Sequence, residues 1–513
     1  MTTEAEEPEL IIGLVGRIGV DVGSVVEQLT KLLRDYGYDT EHIHVTDAIK
    51  QIDTYKSLPS KPLDMRFNKF IDACDEVREK TQLPDVMARF AISRIQDLRD
   101  KGPRKGSSHR GRAFIINQLK RKEECAQLRS IYGEHYLQIS CYSPESARVA
   151  RLSGLIAKGY PKEPKAGAHK AKAFDLLKRD ETEEDNPNGQ RVRDVFPLSD
   201  VVIDSSTPEL AKTHLQRFLR AAFGDYRVSP TQEEYGMQLA ITAALRSSDL
   251  SRQVGAAVLT TNAEVRALGC NEVPRAGGGT YWEGDEVDDR DFVRGRDSND
   301  YRKREVLLEL ALRMQDAGLI DPKYKDNLAE ALIERDDDII RDAHMMDSLE
   351  YGRTVHAEMN AITDAARLGH PLKDCVLYCN TFPCHNCAKH IVASGVQEVI
   401  YLLPYPKSFA EDLFFDSISI DLGEPAPGKV AFRQFMGIVG PLYERVFAKP
   451  RWKNRQGDVP PFVERSAKLR LTTPLPIAAY EAKETEVIAN LAHALDLSGL
   501  IPLPPAGHTS GSA

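Results

Sequence analysis

The triplet His356-Ala357-Glu358 and the run Pro383-Cys384-His385-Asn386-Cys387 constrain this chain more than any other feature, because three metal-binding side chains must meet at one point. A catalytic zinc keeps three protein ligands and one open position, and the His356 imidazole with the Cys384 and Cys387 thiolates makes that count. Zinc lowers the pKa of a water in the open position to about 7, so hydrolysis at neutral pH comes within reach. Glu358 is then a carboxylate that ligation does not need, placed two residues from the His ligand as general acid and base. The competing readings are a structural zinc knuckle, which usually closes with four protein ligands, and a redox Cys-x-x-Cys.

The flanking patterns say how such a site is built. Val355, Met359, Ile362 and Ala366 fall at helical spacing in 354–368, which predicts a core helix presenting His356 and Glu358 at its start. Val376 to Tyr378 reads as a buried strand, and Pro383 as the first residue of a second ligand-bearing helix. Of the eight cysteines, Cys375 and Cys379 read as core rather than ligands. So few cysteines, with the metal motif taking its share, suit a reducing cytoplasm rather than a disulfide frame.

His-x-Glu followed by Pro-Cys-x-x-Cys is the signature of zinc nucleobase deaminases. Together with Ser251-Arg252-Gln253-Val254-Gly255-Ala256-Ala257-Val258, Gly269-Cys270-Asn271 and Val399-Ile400-Tyr401, it makes residues 229–450 resemble the deoxycytidylate branch of the cytidine deaminase superfamily. The resemblance implies an α/β/α deaminase fold in which Asn271 contacts the sugar and Thr381 lines the pocket, with Arg252 and Ala357 also on the substrate. It implies attack of zinc-activated water on carbon 4 of cytosine. The family's usual Gly after that Asn is Glu272 here, so an effector site on that loop is not carried over.

At 513 residues and 42% apolar composition the chain should hold two or three ordinary globular domains. The boundaries read as 1–226, 227–450 with an insertion at about 277–350, and 451–513 as an extension ending in a flexible tail from about Pro502. There is no apolar run of about 18 residues, and Met1 to Glu9 is acidic and polar, so neither a membrane span nor a secretory signal is expected. Residues 1–228 carry 37 Lys plus Arg against 35 Asp plus Glu, so of the net −9 a balance of −11 falls on the catalytic part. An acidic catalytic part argues for a free nucleotide rather than a polynucleotide tracked along basic surface.

The N-terminal part has the order strand, glycine loop, helix. Leu10 to Val15 is apolar, Gly16, Gly19, Gly23 and Ser24 follow as candidate phosphate ligands, and Val25 to Tyr36 reads as an amphipathic helix. Apolar runs at His42–Val45, Ala113–Leu119, Tyr136–Ser140 and Asp200–Asp204 suggest a doubly wound parallel sheet. This half resembles the P-loop nucleotide kinases in layout. The Walker lysine falls at Val22 and no Lys stands beside Ser24, so the half reads as a sensor or binding domain rather than a working kinase. A scaffold whose glycines only make a tight turn remains open. Lys101–Arg112, with five basic residues and no acid, reads as a mobile loop for RNA or another polyanion, and Lys158–Arg179, with seven more, stands where kinase-like folds place a phosphate-covering lid, a solvated loop being the other reading.

The insertion begins Gly277-Gly278-Gly279-Thr280-Tyr281-Trp282 and reads as helical over Tyr301–Asp316 and Asp326–Asp347, a loop that closes over a triphosphate or meets another subunit. Past 450 an amphipathic stretch covers Ile477–Leu495. The whole layout, with Pro404-Tyr405-Pro406-Lys407-Ser408 after the last strand, resembles the bacterial anti-phage dCTP deaminases. That resemblance implies a cytoplasmic homo-oligomer that converts dCTP, and often dCMP, to the uracil nucleotide during infection. It also implies restraint until infection, in some members by a small RNA, with the N-terminal domain receiving that signal or a nucleotide. The rival readings are a polynucleotide deaminase of tRNA or single-stranded DNA, a housekeeping dCMP deaminase, and a regulated binding protein with the zinc domain as scaffold.

Overall fold

The computed structural model describes residues 8–101, 111–160, 166–181, 186–321, 344–404, 408–421 and 426–500. The chain divides into two compact units, Met1–Glu234 with Met436–Ala513, and Tyr235–Phe435. The sequence boundaries thus differ from the structural ones at the C-terminal side. The second unit ends at Phe435 rather than 450, and what read as an extension belongs to the first unit.

In the first unit, the uninterrupted apolar run Leu10–Gly16 forms β1, buried along its whole length, as a strand covered on both faces must be. Strands β2 (Tyr38–His44), β3 (Gly111–Asn117), β4 (Tyr136–Tyr142) and β5 (Val201–Asp204) follow. β1 lies between β3 and β4, both parallel to it, with β2 beyond β3 and β5 beyond β4. Helices Val22–Asp35 and Pro208–Ala222 bury Leu29, Leu33, Leu215 and Phe218 against Leu10, Ile12 and Ile139 of the sheet.

The second unit is a six-stranded mixed sheet of β6 (Gly255–Leu259), β7 (Val265–Cys270), β8 (Val376–Thr381), β9 (Glu398–Leu403), β10 (Ile418–Ile420) and β11 (Val430–Gln434). Its order is β10-β11-β9-β8-β6-β7. β6 runs antiparallel to β7 and β8, and β8 to β11 are mutually parallel. The strand at Val399–Tyr401 is therefore not the last, because β11 pairs beside β9 and β10 beside β11. The insertion contributes helix Ser298–Asp316. Of the stretch read as a helix over 326–347, residues 326–343 lie outside the described residues, and His344–Asp347 is a 3-10 turn.

The chain then returns to the first unit as β12 (Gly437–Ile438), antiparallel to β5. Helix Ile477–Leu497 closes this return. Its Glu484 is wholly buried, where its carboxylate accepts from Arg99 Nη1 at 2.7 Å and from the Tyr132 hydroxyl at 2.8 Å. Among the described residues no helix is long and apolar enough to cross a membrane.

Candidate metal centre

Both ligand segments sit at helix starts, for a shared local reason. His356 is the N-cap of helix Ala357–Leu368 and Cys384 the N-cap of helix His385–Ser394, with Cys387 in that helix's first turn. Pro383 thus precedes the cap instead of opening the helix. The partial positive charge at two helix N-termini favours thiolate at this spot.

The face that seats the first helix is not the expected stripe. Ala357, Ala361 and Ala365 are buried, whereas Met359 and Ile362 are half-buried and Ala366 is exposed. Small residues face the sheet because the backbones nearly touch: a Cβ on Gly269 of β7 would stand 2.1 Å from the Ala357 carbonyl oxygen. Asn360 locks the contact, its Oδ1 accepting from the Cys270 N–H at 3.1 Å.

The result is convergence. His356 Nδ1 lies 3.3 Å from the sulfur of Cys384 and 3.3 Å from that of Cys387, and the three donor atoms fall within 4.8 Å of one another. Tetrahedral zinc, with Zn–N of about 2.0 Å and Zn–S of about 2.3 Å, needs its ligand atoms about 3.5 to 3.8 Å apart, so this donor set fits the ion. Cys375 and Cys379 are buried outside the cluster.

Electrostatics separate the two thiols. A hydrogen bond from Cys387, then one from His356, holds the Cys384 thiol down at about 4 against the opposing effect of burial. Burial instead pushes Cys387 well above the ordinary thiol range. The hydrogen bond to Cys384 lifts His356 to about 9, again against burial. Glu358, only 3% exposed, is raised chiefly by burial and further by the Cys384 charge, with His356 opposing. Such a carboxyl holds its proton more readily than one in water, which suits a proton carrier.

Around the cluster, Thr381 at the end of β8 is 9% exposed and its hydroxyl has no hydrogen-bond partner. Asn271 holds the turn before β6, accepting from the Val254 N–H at 2.7 Å and donating to the Arg252 carbonyl at 2.9 Å. Arg252 is exposed at that turn. Ala357 is buried in the first helical turn, where backbone N–H groups lack intrahelical acceptors.

Two residues that sequence reasoning did not place here complete the frame. Asp249 accepts from the Thr354 hydroxyl at 3.2 Å, and buried Glu272 accepts from the Ser248 N–H and hydroxyl at 3.1 and 2.6 Å. Glu272 was visible only as a departure from a family glycine, and Asp249 gave no signal. Ser408 donates to the Pro383 carbonyl at 2.9 Å, while 405–407 lie outside the described residues.

The glycine loop of the first unit is differently furnished from its sequence. Gly19 takes φ +91°, Gly23 and Ser24 open the following helix, and the Ser24 N–H donates to Asp21. The Ile18 N–H donates to the buried Asp180 carboxylate at 2.6 Å. Lys120 Nζ bridges that carboxylate at 2.7 Å and the Gly16 carbonyl at 2.8 Å. A lysine from beyond β3 thus stands at the loop, its charge paired with Asp180. Of the two basic segments, 102–110 and 161–165 lie outside the described residues, and the remainder of the second is largely helix Ala166–Glu181.

Comparison with known proteins bears on the second unit. Residues 301–403 match the family described as the cytidine and deoxycytidylate deaminase zinc-binding region. ComE operon protein 2 of Bacillus subtilis is 38% identical over 63 residues, 12% of this chain and 33% of that protein. The deoxycytidylate deaminase of phage T4 is 41% identical over 54 residues, 10% and 28% of the two chains. The mouse deoxycytidylate deaminase is 26% identical over 169 residues, 33% and 63%. The match to the first two relatives spans about a third of their length. A crystal structure of dCMP deaminase from cyanophage S-TIM5 with dCMP and dUMP aligns with 40% of this chain and 98% of that one, at 18% identity and TM-score 0.22. Family match and donor set agree on zinc, and residues 301–403 of the second unit are similar to a cytidine and deoxycytidylate deaminase zinc-binding region.

Proposed function

We propose that the unit Tyr235–Phe435 is a zinc-dependent hydrolytic deaminase of free cytosine deoxynucleotides, taking dCTP and/or dCMP to the uracil nucleotide and ammonia. The observation that carries this reading is one imidazole and two thiols converging on a point at two helix N-termini, with the buried Glu358 two residues from the imidazole. Bound zinc supplies the Lewis acidity that makes water nucleophilic at neutral pH.

The chain's own groups then handle protons and orientation. Glu358 takes the proton from the attacking water, passes it to ring N3, and carries the second proton to the departing 4-amino nitrogen. The partnerless Thr381 hydroxyl is free to bond the nucleotide. Asn271 fixes the turn that carries Arg252 and offers its remaining hydrogen-bonding capacity to the sugar, and Arg252 meets the phosphate. The first-turn amide of Ala357 faces no acceptor within the helix and completes the set.

The wider reading rests on the layout resemblance to the anti-phage dCTP deaminases. In it the enzyme is a cytoplasmic homo-oligomer that empties the dCTP pool during phage infection, and the first unit receives a nucleotide or RNA signal through the loop Gly16–Ser24. Ammonia release by the zinc-loaded protein from dCTP, dCMP, CTP and a cytosine-bearing oligonucleotide, with Glu358→Ala as blank, tests the chemistry. Turnover of the free deoxynucleotides alone supports it, and turnover of the oligonucleotide alone transfers the unit to the polynucleotide class. Silence on all four substrates, with and without infected-cell lysate, sinks the catalytic reading.

A further inference from the structure

The first unit has a solvent-open pocket of about 520 Å³ that none of the chemistry above uses, lined by Phe223, Gly224, Tyr226, Arg445 and parts of the segment 461–472. One wall is a guanidinium with too little negative charge around it. The Arg445 side chain is only 12% exposed, and its nearest carboxylate oxygen, on Glu134, stands 3.6 Å away. A guanidinium has five N–H donors. Here Nη1 makes a long bond of 3.4 Å to the Glu134 carbonyl, and Nε is buried without a partner.

The nearby acids are committed elsewhere. The Glu134 carboxylate accepts the N–H groups of Thr472 and Thr473, and Asp200 pairs with Arg129 at 3.0 Å. Two further cations share the lining. Arg470 donates through both terminal nitrogens to the carbonyls of Val446 and Ala448 rather than to a carboxylate, and Lys468 is exposed. A buried charge with so little compensation is costly, and an arriving anion recovers part of that cost. Burial also draws the Arg445 pKa below its ordinary value, against the pull of Asp200 and Glu134.

Two aromatic rings share the lining, each with a guanidinium on one face. The Arg470 guanidinium lies 5.2 Å from the centre of the Tyr226 ring, and that of Arg227 lies 5.8 Å from the Phe462 ring. Small-molecule sites typically occupy about 300 to 1,000 Å³ and combine apolar walls with a few fixed polar groups.

We propose that this cavity binds a small phosphate ester bearing a flat organic group, a nucleoside monophosphate in class, with its phosphate on Arg445 and Lys468 and its ring against Tyr226 and Phe462. The site is separate from the metal centre and does not depend on the deaminase reading.

Calorimetry on the full-length protein tests it, with adenosine 5′-monophosphate, adenosine, inorganic phosphate and a short oligodeoxyadenylate as probes. The monophosphate binds saturably, inorganic phosphate more weakly, and adenosine not at all. Arg445→Met weakens the monophosphate about tenfold, as loss of a charge-assisted hydrogen bond should. Lys468→Ala, at an exposed position that leaves the melting temperature unchanged, weakens it about threefold. Adenosine binding as well as its monophosphate overturns the proposal, as does an affinity that neither variant changes or no saturation by about 10 mM. Preference for the oligonucleotide, with a steep salt dependence, overturns it in favour of a polynucleotide groove.

Discussion

Two cysteines three positions apart on one helix start hold their protons very differently, and this sets what zinc must displace. Cys384, near 4, is already thiolate at neutral pH, while Cys387 is held protonated by burial and His356, near 9, is imidazolium. Zinc needs deprotonated ligands. Loading at pH of about 7.5 should therefore release about two protons, one from His356 and one from Cys387. Zinc affinity rises with pH, more steeply below about 9, where His356 and Cys387 both shed a proton on binding, than above it, where only Cys387 does. Calorimetry in buffers of different ionisation enthalpy reads that count, and a value near zero contradicts the assignment. Glu358→Gln should lower turnover by about 10²-fold to 10⁴-fold while zinc content stays at one per chain. Thr381→Val separates a pocket role from a structural one. Its hydroxyl has no partner, so the variant should melt at the same temperature or higher. If the hydroxyl bonds substrate, KM rises in the same variant, and an unchanged KM removes Thr381 from the site.

Elements act here through how closely they pack. The ligand helix Ala357–Leu368 lies on β7 through small residues, with Gly269 under the Ala357 carbonyl. Gly269→Ala should push the helix off the sheet, lowering stability by about 1 to 3 kcal/mol as overpacking does. Because His356 and Glu358 ride on that helix start, zinc occupancy should fall with it, and full occupancy together with an unshifted melt would contradict the packing account. This face was illegible in the sequence because alanines carry little hydrophobic signal. The visible period runs through half-buried Val355, Met359 and Ile362 to exposed Ala366, while close backbone approach selects small residues. The strands were easier, since β1, β3 and β4 are apolar runs buried on both faces.

Across the whole molecule, the chain leaves its first unit at Glu234 and returns to it at Met436. The return puts Glu484, wholly buried, against Arg99 and the Tyr132 hydroxyl, with Glu9 on the same guanidinium. Glu484→Ala should therefore destabilise the first unit by about 3 to 5 kcal/mol, because it strips a buried cation of one of its two close carboxylates. Thermal melts of the full-length variant read this, and a loss under about 1 kcal/mol would mean that the ion pair is solvated rather than buried. Residue chemistry by itself picked out His356, Cys384 and Cys387 as the donor set and Glu358 as the candidate proton carrier, since His, Cys and carboxylate side chains at that spacing can supply three ligands and a spare carboxylate. Uninterrupted apolar runs likewise determined the central strands. Tertiary structure alone decided that the segment after 435 completes the first sheet, and that Lys120 and Asp180 furnish the glycine loop. It alone assembled the Arg445 cavity. Those pairings join residues tens to hundreds of positions apart, and local periodicity carries no information about which distant partner a buried charge or an open strand edge will find.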